Sequence, residues 1–216
     1  VVLVPFEFKN VNAFSVFAFS KQEHLEKFKH QSAISLSEQL SVILNNLVLR
    51  EMIVTDSLTQ LKNSMYFRNK IKEVCQTSKN AQLILVDVDY FKKINDHYGH
   101  LGGDAVLIQI GTILKTIQNK YNNLNPNIRS SFITCARVGG EEFAILIEDY
   151  FFVFFFYFAE ELRKTAEQTI VKYQSDEIRF TISLGLSAWN GSNEADEVSI
   201  KNFYRSADDS LYYSKK

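Results

Sequence analysis

Four consecutive apolar residues, Leu83 to Val86, run straight into Asp87, Val88 and Asp89, and this stretch constrains the chain more than any other. An unbroken apolar run of that length is expected of a strand buried on both faces. Such a strand is the centre of a sheet, with helices packed on either side. Asp87 and Asp89 lie two residues apart, so both project from the same face where the strand ends. Carboxylates placed there are costly unless they are solvated or paired with a metal. A second informative stretch is RVGGEEF, Arg137 to Phe143. Residues 131–136 before it and 143–147 after it read as strands, and two such runs joined by a short glycine-containing segment make a β-hairpin. Gly139 and Gly140 at the tip permit positive φ and close approach of a ligand to the backbone. Glu141 and Glu142 follow at once and repel each other unless a cation or substrate sits there. A solvated turn is the equally ordinary alternative.

The remaining pattern divides in two. Val1 to Phe8 and Val11 to Ser20 read as a strand pair, too little to bury a core by itself, and so as the end of a larger domain. A helical pattern follows from about His24 to Val54, with Leu36, Leu40, Ile43, Leu47, Arg50 and Val54 at spacings of four and three. That rhythm fits a coiled-coil dimer seam or an amphipathic helix packed on its own domain. Beyond it, Thr55 or Asp56 is placed to cap a helix from Leu58 to about Cys75, with Leu61, Met65 and Ile71 as its apolar positions. Phe91 to Asp96 is expected to turn the chain, and Gly99 to Asp104 to open a helix striped by Val106, Ile110, Ile113, Leu114 and Ile117. Asp104 could be a plain N-cap, and Lys92 and Lys93 could neutralise phosphate or form a solvated turn. His97 and His100 lie three apart with no His or Cys partners to complete a transition-metal site. Residues 173–177 and 189–197 read as solvated loops around a strand from Phe180 to Ala188. Helix and strand order gives an α+β domain, a mixed sheet flanked by helices.

Composition excludes little. The 216 residues suffice for one domain and part of another, and 24 basic against 25 acidic residues give no nucleic-acid-binding signature. Cys75 and Cys135 match no zinc or redox spacing, which suits a reducing compartment. The apolar run Tyr150 to Ala159 is too short to span a bilayer. A cytoplasmic location is expected, with an upstream membrane anchor left open.

Five motifs in order resemble the GGDEF domain, the diguanylate cyclase family. They are DSLTQLKN from Asp56 to Asn63, DVDYFKKIND from Asp87 to Asp96, GHLGGD from Gly99 to Asp104, RVGGEEF from Arg137 to Phe143, and Thr181 to Gly185 followed by Ala207 to Lys215. The resemblance places a cyclase domain at 55–216, with a fold similar to nucleotidyl cyclase and polymerase palm domains. Residues 1–54, through the pattern Val4-Pro5-x-x-Phe8 and the helix after it, resemble the C-terminal end of a GAF sensory domain and its signalling helix. The activity implied is condensation of two GTP into cyclic di-GMP with release of two pyrophosphates. Carried over by position, Asp87, Glu142 and the Val88 carbonyl would hold Mg²⁺ or Mn²⁺, two ions per half-site. Glu141 would act as base or as a second metal-site acid. Phe91 and Lys92 would offer backbone amides to phosphate, and Asn95 and Asp104 would read the guanine edge. His100, Gly139, Gly140 and Lys215 complete the substrate set, Lys215 at the terminal phosphates. Each half-site holds one nucleotide, so turnover requires a homodimer. Its input would arrive through the N-terminal domain.

Departures from the family pattern carry expectations too. Asn63 is followed by Ser64 and Met65 instead of two arginines, so a structural salt bridge is expected to be missing. The inhibitory Arg-x-x-Asp aligns with Ser130 and Ile133, with Arg129 out of register, so product inhibition there is not expected. The sequence stops at Lys216, before the Gly-Arg-Asn that usually follows, and a phosphate-binding arginine is expected to be lacking. Tyr150 to Phe158 is richer in phenylalanine than the family's mixed helix, which suggests extra packing, a partner or membrane patch, or an aggregation hazard. The rival functions are a catalytically silent GTP- or partner-binding module and a cyclase or transferase using another nucleotide.

Overall fold

The computed structural model describes residues 2–8, 11–17, 30–78, 80–123, 132–148, 152–191 and 196–216. They form two compact units, Val1–Ile53 and Val54–Lys216. In the first, β1 (Val2–Phe8) and β2 (Val11–Phe17) pair antiparallel, Val2 opposite Phe17 and Phe8 opposite Val11. Helix α1 (His30–Val54) follows. Its Leu40, Ile43 and Leu47 are exposed, so the heptad-spaced stripe finds no cover among the described residues. Residues 24–29, expected to start this helix, lie outside the described set.

The second unit is built on β3 (Ala81–Val88), every residue of which is buried. It is hydrogen-bonded on both sides in a four-stranded sheet of order β4-β5-β3-β8, comprising β4 (Ile133–Arg137), β5 (Glu142–Glu148) and β8 (Ile182–Trp189). All these pairings are antiparallel, and a parallel bridge from Lys62 to Ala136 at the β4 edge makes the sheet mixed. The period of two sends Ile84, Val86 and Val88 to one face and Ala81, Leu83 and Leu85 to the other. The first set meets α3 (Phe91–Asn123) and α4 (Phe152–Gln168) in a core with Leu107, Leu114, Phe155 and Leu162. The second meets α2 (Ser64–Thr77) and α5 (Glu197–Ser214) through Phe67, Val74, Phe203 and Leu211. The fold is α+β, as expected, with helices on both faces of the sheet.

Several local expectations are corrected. Helix α2 begins at Ser64, not Leu58, because Asn63 caps it by accepting from the Tyr66 amide at 3.0 Å. Asp56 instead closes a turn, accepting from the Thr59 amide and hydroxyl at 2.8 and 2.7 Å. Met65 points to solvent, and Phe67, Ile71 and Val74 form the buried stripe. Phe91 to Asp96 is helical instead of a turn, since Phe91, Ile94 and Tyr98 recur at helical spacing against the core. The long span α3 is two helices meeting at a kink at Gly99, whose φ of 74° only glycine adopts freely. Asp104 therefore lies inside the second helix and is not its N-cap. A small hairpin, β6 (Ile170–Tyr173) and β7 (Asp176–Arg179), occupies much of the expected loop at 173–177, with Val171 and Ile178 buried beneath it. Trp189, expected in a solvated loop, is buried at the end of β8. Residues 192–195 of that loop lie outside the described set. In the aromatic run, Phe155 and Phe158 enter the core while Phe156 and Tyr157 face solvent. Among the described residues, no helix is long and apolar enough to cross a membrane.

Candidate active site

Antiparallel register brings the acids together. Asp87, on the central strand, lies opposite Glu142 of β5 and Ser183 of β8. Like charges facing across a ladder are destabilising unless something neutralises them. Burial, with the Asp87, Glu141 and Asp208 carboxylates, pushes the Glu142 carboxyl above its ordinary value, against the opposing pull of Lys215. The Lys215 ammonium, delivered by the end of α5, sits 2.7 Å from Asp87 Oδ2. Asp87 and Lys215 line a cavity of about 410 Å³ with Asp89, Tyr90, Ser183, Ser214 and Lys216. Asp89 is engaged elsewhere: its two carboxylate oxygens accept from Ser183 and Thr181 hydroxyls, both at 2.6 Å. An adjoining groove of about 630 Å³ shares Asp89 and Tyr90 and runs along Lys93, His97, Arg179 and Phe180.

The hairpin tip is shaped by contact more than by backbone freedom. Neither Gly139 nor Gly140 has a positive φ, contrary to expectation. A Cβ at 139 would displace the flexible carboxylate end of Glu142, whereas a Cβ at 140 meets nothing within 4 Å. The Val138 and Gly139 amides donate to the Glu142 carbonyl at 2.9 and 3.3 Å. Arg137 fastens the tip: its Nε and Nη2 donate to the Gly140 carbonyl at 3.1 and 2.7 Å, and Nη1 reaches Asp56 at 3.4 Å. Burial alone would raise the Asp56 carboxyl. The Thr59 amide and hydroxyl and the Arg137 guanidinium outweigh it and hold the group below its ordinary value.

At the Gly99 kink, Asn95 packs so closely on Gly103 that any Cβ at 103 would overlap its side-chain oxygen, and the Phe91 ring lies beside it. This sets Asn95 against the residue preceding Asp104. Phe91 and Lys92 occupy the first turn of α3, where amides have no intrahelical acceptor. Asn95 and Asp104 line neither of the two cavities. His100 is exposed at the start of the second helix of α3.

Sequence reasoning assigned no role to Asp208 or Tyr204. Yet Asp208 bears on Glu142, and burial together with Glu142 and Asp208 pushes the Tyr204 phenol up. Their helical spacing of four on α5 was the available signal. The roles of Arg137 as tip fastener and of Asp89 as a strand tie were missed because both partners are remote in sequence.

Among the described residues, no three His, Cys, Asp or Glu side chains are grouped to enclose a metal. Asp87 and Glu142 still suit a hard dication. Mg²⁺ is commonly held by one or two carboxylates, with water and substrate phosphates completing the octahedron, and burial first, then the neighbouring carboxylates, disfavour the Glu142 charge that a cation would stabilise. The Val88 carbonyl lies next along β3.

The family model described as diguanylate cyclase, GGDEF domain, matches residues 53–216. The chain is 32% identical over 189 residues to diguanylate cyclase A of Treponema denticola, covering 84% of this chain and 47% of that protein. It is 31% identical over 171 residues to response regulator PleD of Caulobacter vibrioides, covering 76% and 34%. The chain thus spans less than half the length of these relatives. Of solved structures, the coiled coil and GGDEF domain of DgcB from Caulobacter crescentus, in complex with c-di-GMP, matches with a TM-score of 0.71 at 24% identity, over 88% of this chain and 94% of that one. The diguanylate cyclase SiaD of Pseudomonas aeruginosa, in complex with its activator SiaC, matches with a TM-score of 0.67 at 25% identity, over 89% and 70%.

Proposed function

The chain belongs to the GGDEF diguanylate cyclase family, and from that premise we propose that it condenses two GTP into cyclic di-GMP and two pyrophosphates. The observation that carries this is the facing of Asp87 and Glu142 across β3 and β5, beside an intact Arg137-to-Phe143 hairpin. Asn95 and Asp104 bind the guanine edge, the acid accepting from its N–H groups. The Phe91 and Lys92 amides hold phosphate oxygens at a helix N-terminus. Asp87, Glu142 and the Val88 carbonyl hold Mg²⁺ or Mn²⁺, two ions per half-site being the number the resemblance implies. A cation there offsets the charge that builds at the α-phosphate. Glu141 takes the proton of the attacking 3′-hydroxyl or serves as a second metal-site acid. In each half-reaction the 3′-oxygen–phosphorus bond forms, the α–β bridge breaks and pyrophosphate leaves.

Two such half-sites must face each other, so the active form is a homodimer, with the exposed Leu40, Ile43 and Leu47 stripe of α1 as its seam. The GAF-like segment before α1 would pass on an input, and a GTP-consuming reaction suits the cytoplasm. Product inhibition at an Arg-x-x-Asp site is not part of this proposal: Ile133, at the aspartate position, is fully buried, and Arg129 and Ser130 lie outside the described residues. The test is to incubate the purified, dimeric chain with GTP and Mg²⁺ and assay cyclic di-GMP and pyrophosphate, with Glu142→Ala as control. Formation of product by the parent chain and not by the variant is expected. A dimer that binds GTP and yields no product is instead a silent binding module.

A further inference from the structure

Packing of α5 on β8, with Ala207 and Leu211 over Gly185, carries the helix end to the acids. There the two terminal lysines part company. Lys216 Nζ lies over the rings of Tyr212 and Tyr213, 4.4 and 5.6 Å from their centroids. Lys215 Nζ turns inward to Asp87 Oδ2 at 2.7 Å, where the carboxylate is only 10% exposed. Asp87 lies opposite Glu142 across the β3–β5 ladder. An ammonium at hydrogen-bond distance from a nearly buried carboxylate is a charge-assisted contact, stronger than a neutral one. It occupies one of the two Asp87 carboxylate oxygens and places a positive charge where a dication would have to approach. The protein's own donors also fall well short of an octahedral set, because no third acidic, His or Cys side chain joins the pair among the described residues.

Taking Asp87 and Glu142 as the metal pair of the proposed function, we infer that Lys215 is a resident counter-ion for Asp87. It keeps a bare divalent ion off the nucleotide-free site and makes metal binding conditional on nucleotide. A nucleotide contributes phosphate oxygens that complete the coordination and anionic charge to which the displaced ammonium can turn. A free dication contributes neither, and must bind Asp87 against the charge of Lys215.

The experiment measures Mn²⁺ binding directly, from the signal of free Mn²⁺ in electron paramagnetic resonance, at about 0.15 M ionic strength. The whole chain is used, without nucleotide and with a non-hydrolysable GTP analogue. Wild type is expected to bind Mn²⁺ weakly alone and tightly with the analogue. Lys215→Gln should bind Mn²⁺ alone about tenfold more tightly than wild type, Lys215→Arg should stay weak, and Asp87→Asn should lose the site. Lys216→Gln removes a charge from the same cavity without touching Asp87, and is expected to match wild type. Thermal melts establish that each variant is folded. Unchanged Mn²⁺ affinity in Lys215→Gln, with binding still abolished in Asp87→Asn, overturns the counter-ion role and leaves the metal site standing. An equal gain in Lys216→Gln also overturns it, since net charge alone would then suffice. If no variant shows Asp87-dependent binding even with the analogue, the metal site fails and the inference with it.

Discussion

Replacing Arg137 by alanine tests how the hairpin tip is held. The substitution removes two N–H donors from the Gly140 carbonyl, at 3.1 and 2.7 Å, and the ion pair to Asp56 at 3.4 Å. Hydrogen bonds from a charged donor contribute about 1.5–3 kcal/mol. The ion pair sits at the long end of contact with side chains 16% and 22% exposed, and adds less than about 1 kcal/mol. A loss of about 2–3 kcal/mol lowers the melting temperature of a domain of this size by roughly 5–10 °C. Catalysis should suffer separately, because a tip displaced by about 1 Å carries Glu141 and Glu142 with it, a shift that can reduce turnover about 100-fold. Lysine cannot span both partners with a single ammonium and should recover less than half of the loss. The pH dependence is fixed in sign. Asp56 has a folded value below its ordinary 3.8, so its stabilisation is complete above pH 3.8 and is lost as pH falls through the folded value. The gap between wild type and Arg137→Ala should therefore narrow in that acid range, and Asp56→Asn should show no such limb. Calorimetry across pH and steady-state turnover are the assays. A variant melting within about 1 °C of wild type with unchanged turnover refutes the fastening role.

Three further substitutions separate space from charge at the same tip. Gly139→Ala places a methyl where the Glu142 carboxylate lies, whereas Gly140→Ala meets open space. The first should fold yet lose about 100-fold in turnover, and the second should retain most of it; equal loss in both would contradict the contact. Glu142→Gln should abolish cyclic di-GMP synthesis while raising the melting temperature of the metal-free protein at pH 7.5. The folded carboxyl titrates above its ordinary 4.5, so its charge penalty is absent below pH 4.5 and complete above the folded value. The stabilisation should accordingly vanish at pH 4, and its persistence there would point to a cause other than charge.

Where pattern and packing coincide, the chain is readable. Leu83 to Val86 marks a strand buried on both faces because nothing polar interrupts it, and the sheet bears this out. The five ordered motifs identify the family. What stays hidden depends on contacts distant in sequence. Arg137 meets Asp56 across 81 positions and Asp89 meets Ser183 across 94, and no local pattern signals either. The helix at Phe91 reads as a turn because its polar residues and the glycines after it mask the spacing of Phe91, Ile94 and Tyr98. The hairpin β6–β7 escapes because each strand buries a single residue, Val171 or Ile178, within a polar segment. The tip glycines suggest dihedral freedom, whereas at position 139 the missing Cβ leaves the Glu142 carboxylate where it lies.

The two facing acids hang on unlike supports. Both strands are interior to the sheet, but Asp87 is paired on each side, with Glu142 and with Ser183, in a strand buried along its whole length. Glu142 is the exposed first residue of β5, paired with Asp87 but with no partner on β4, beyond a tip that a few hydrogen bonds and one guanidinium keep closed. Regions with few buried contacts open locally at much lower free energy than the core. Mild heat or denaturant should then part the two acids from one side, ending the proposed cyclic di-GMP synthesis while the spectroscopic signature of a folded sheet remains intact.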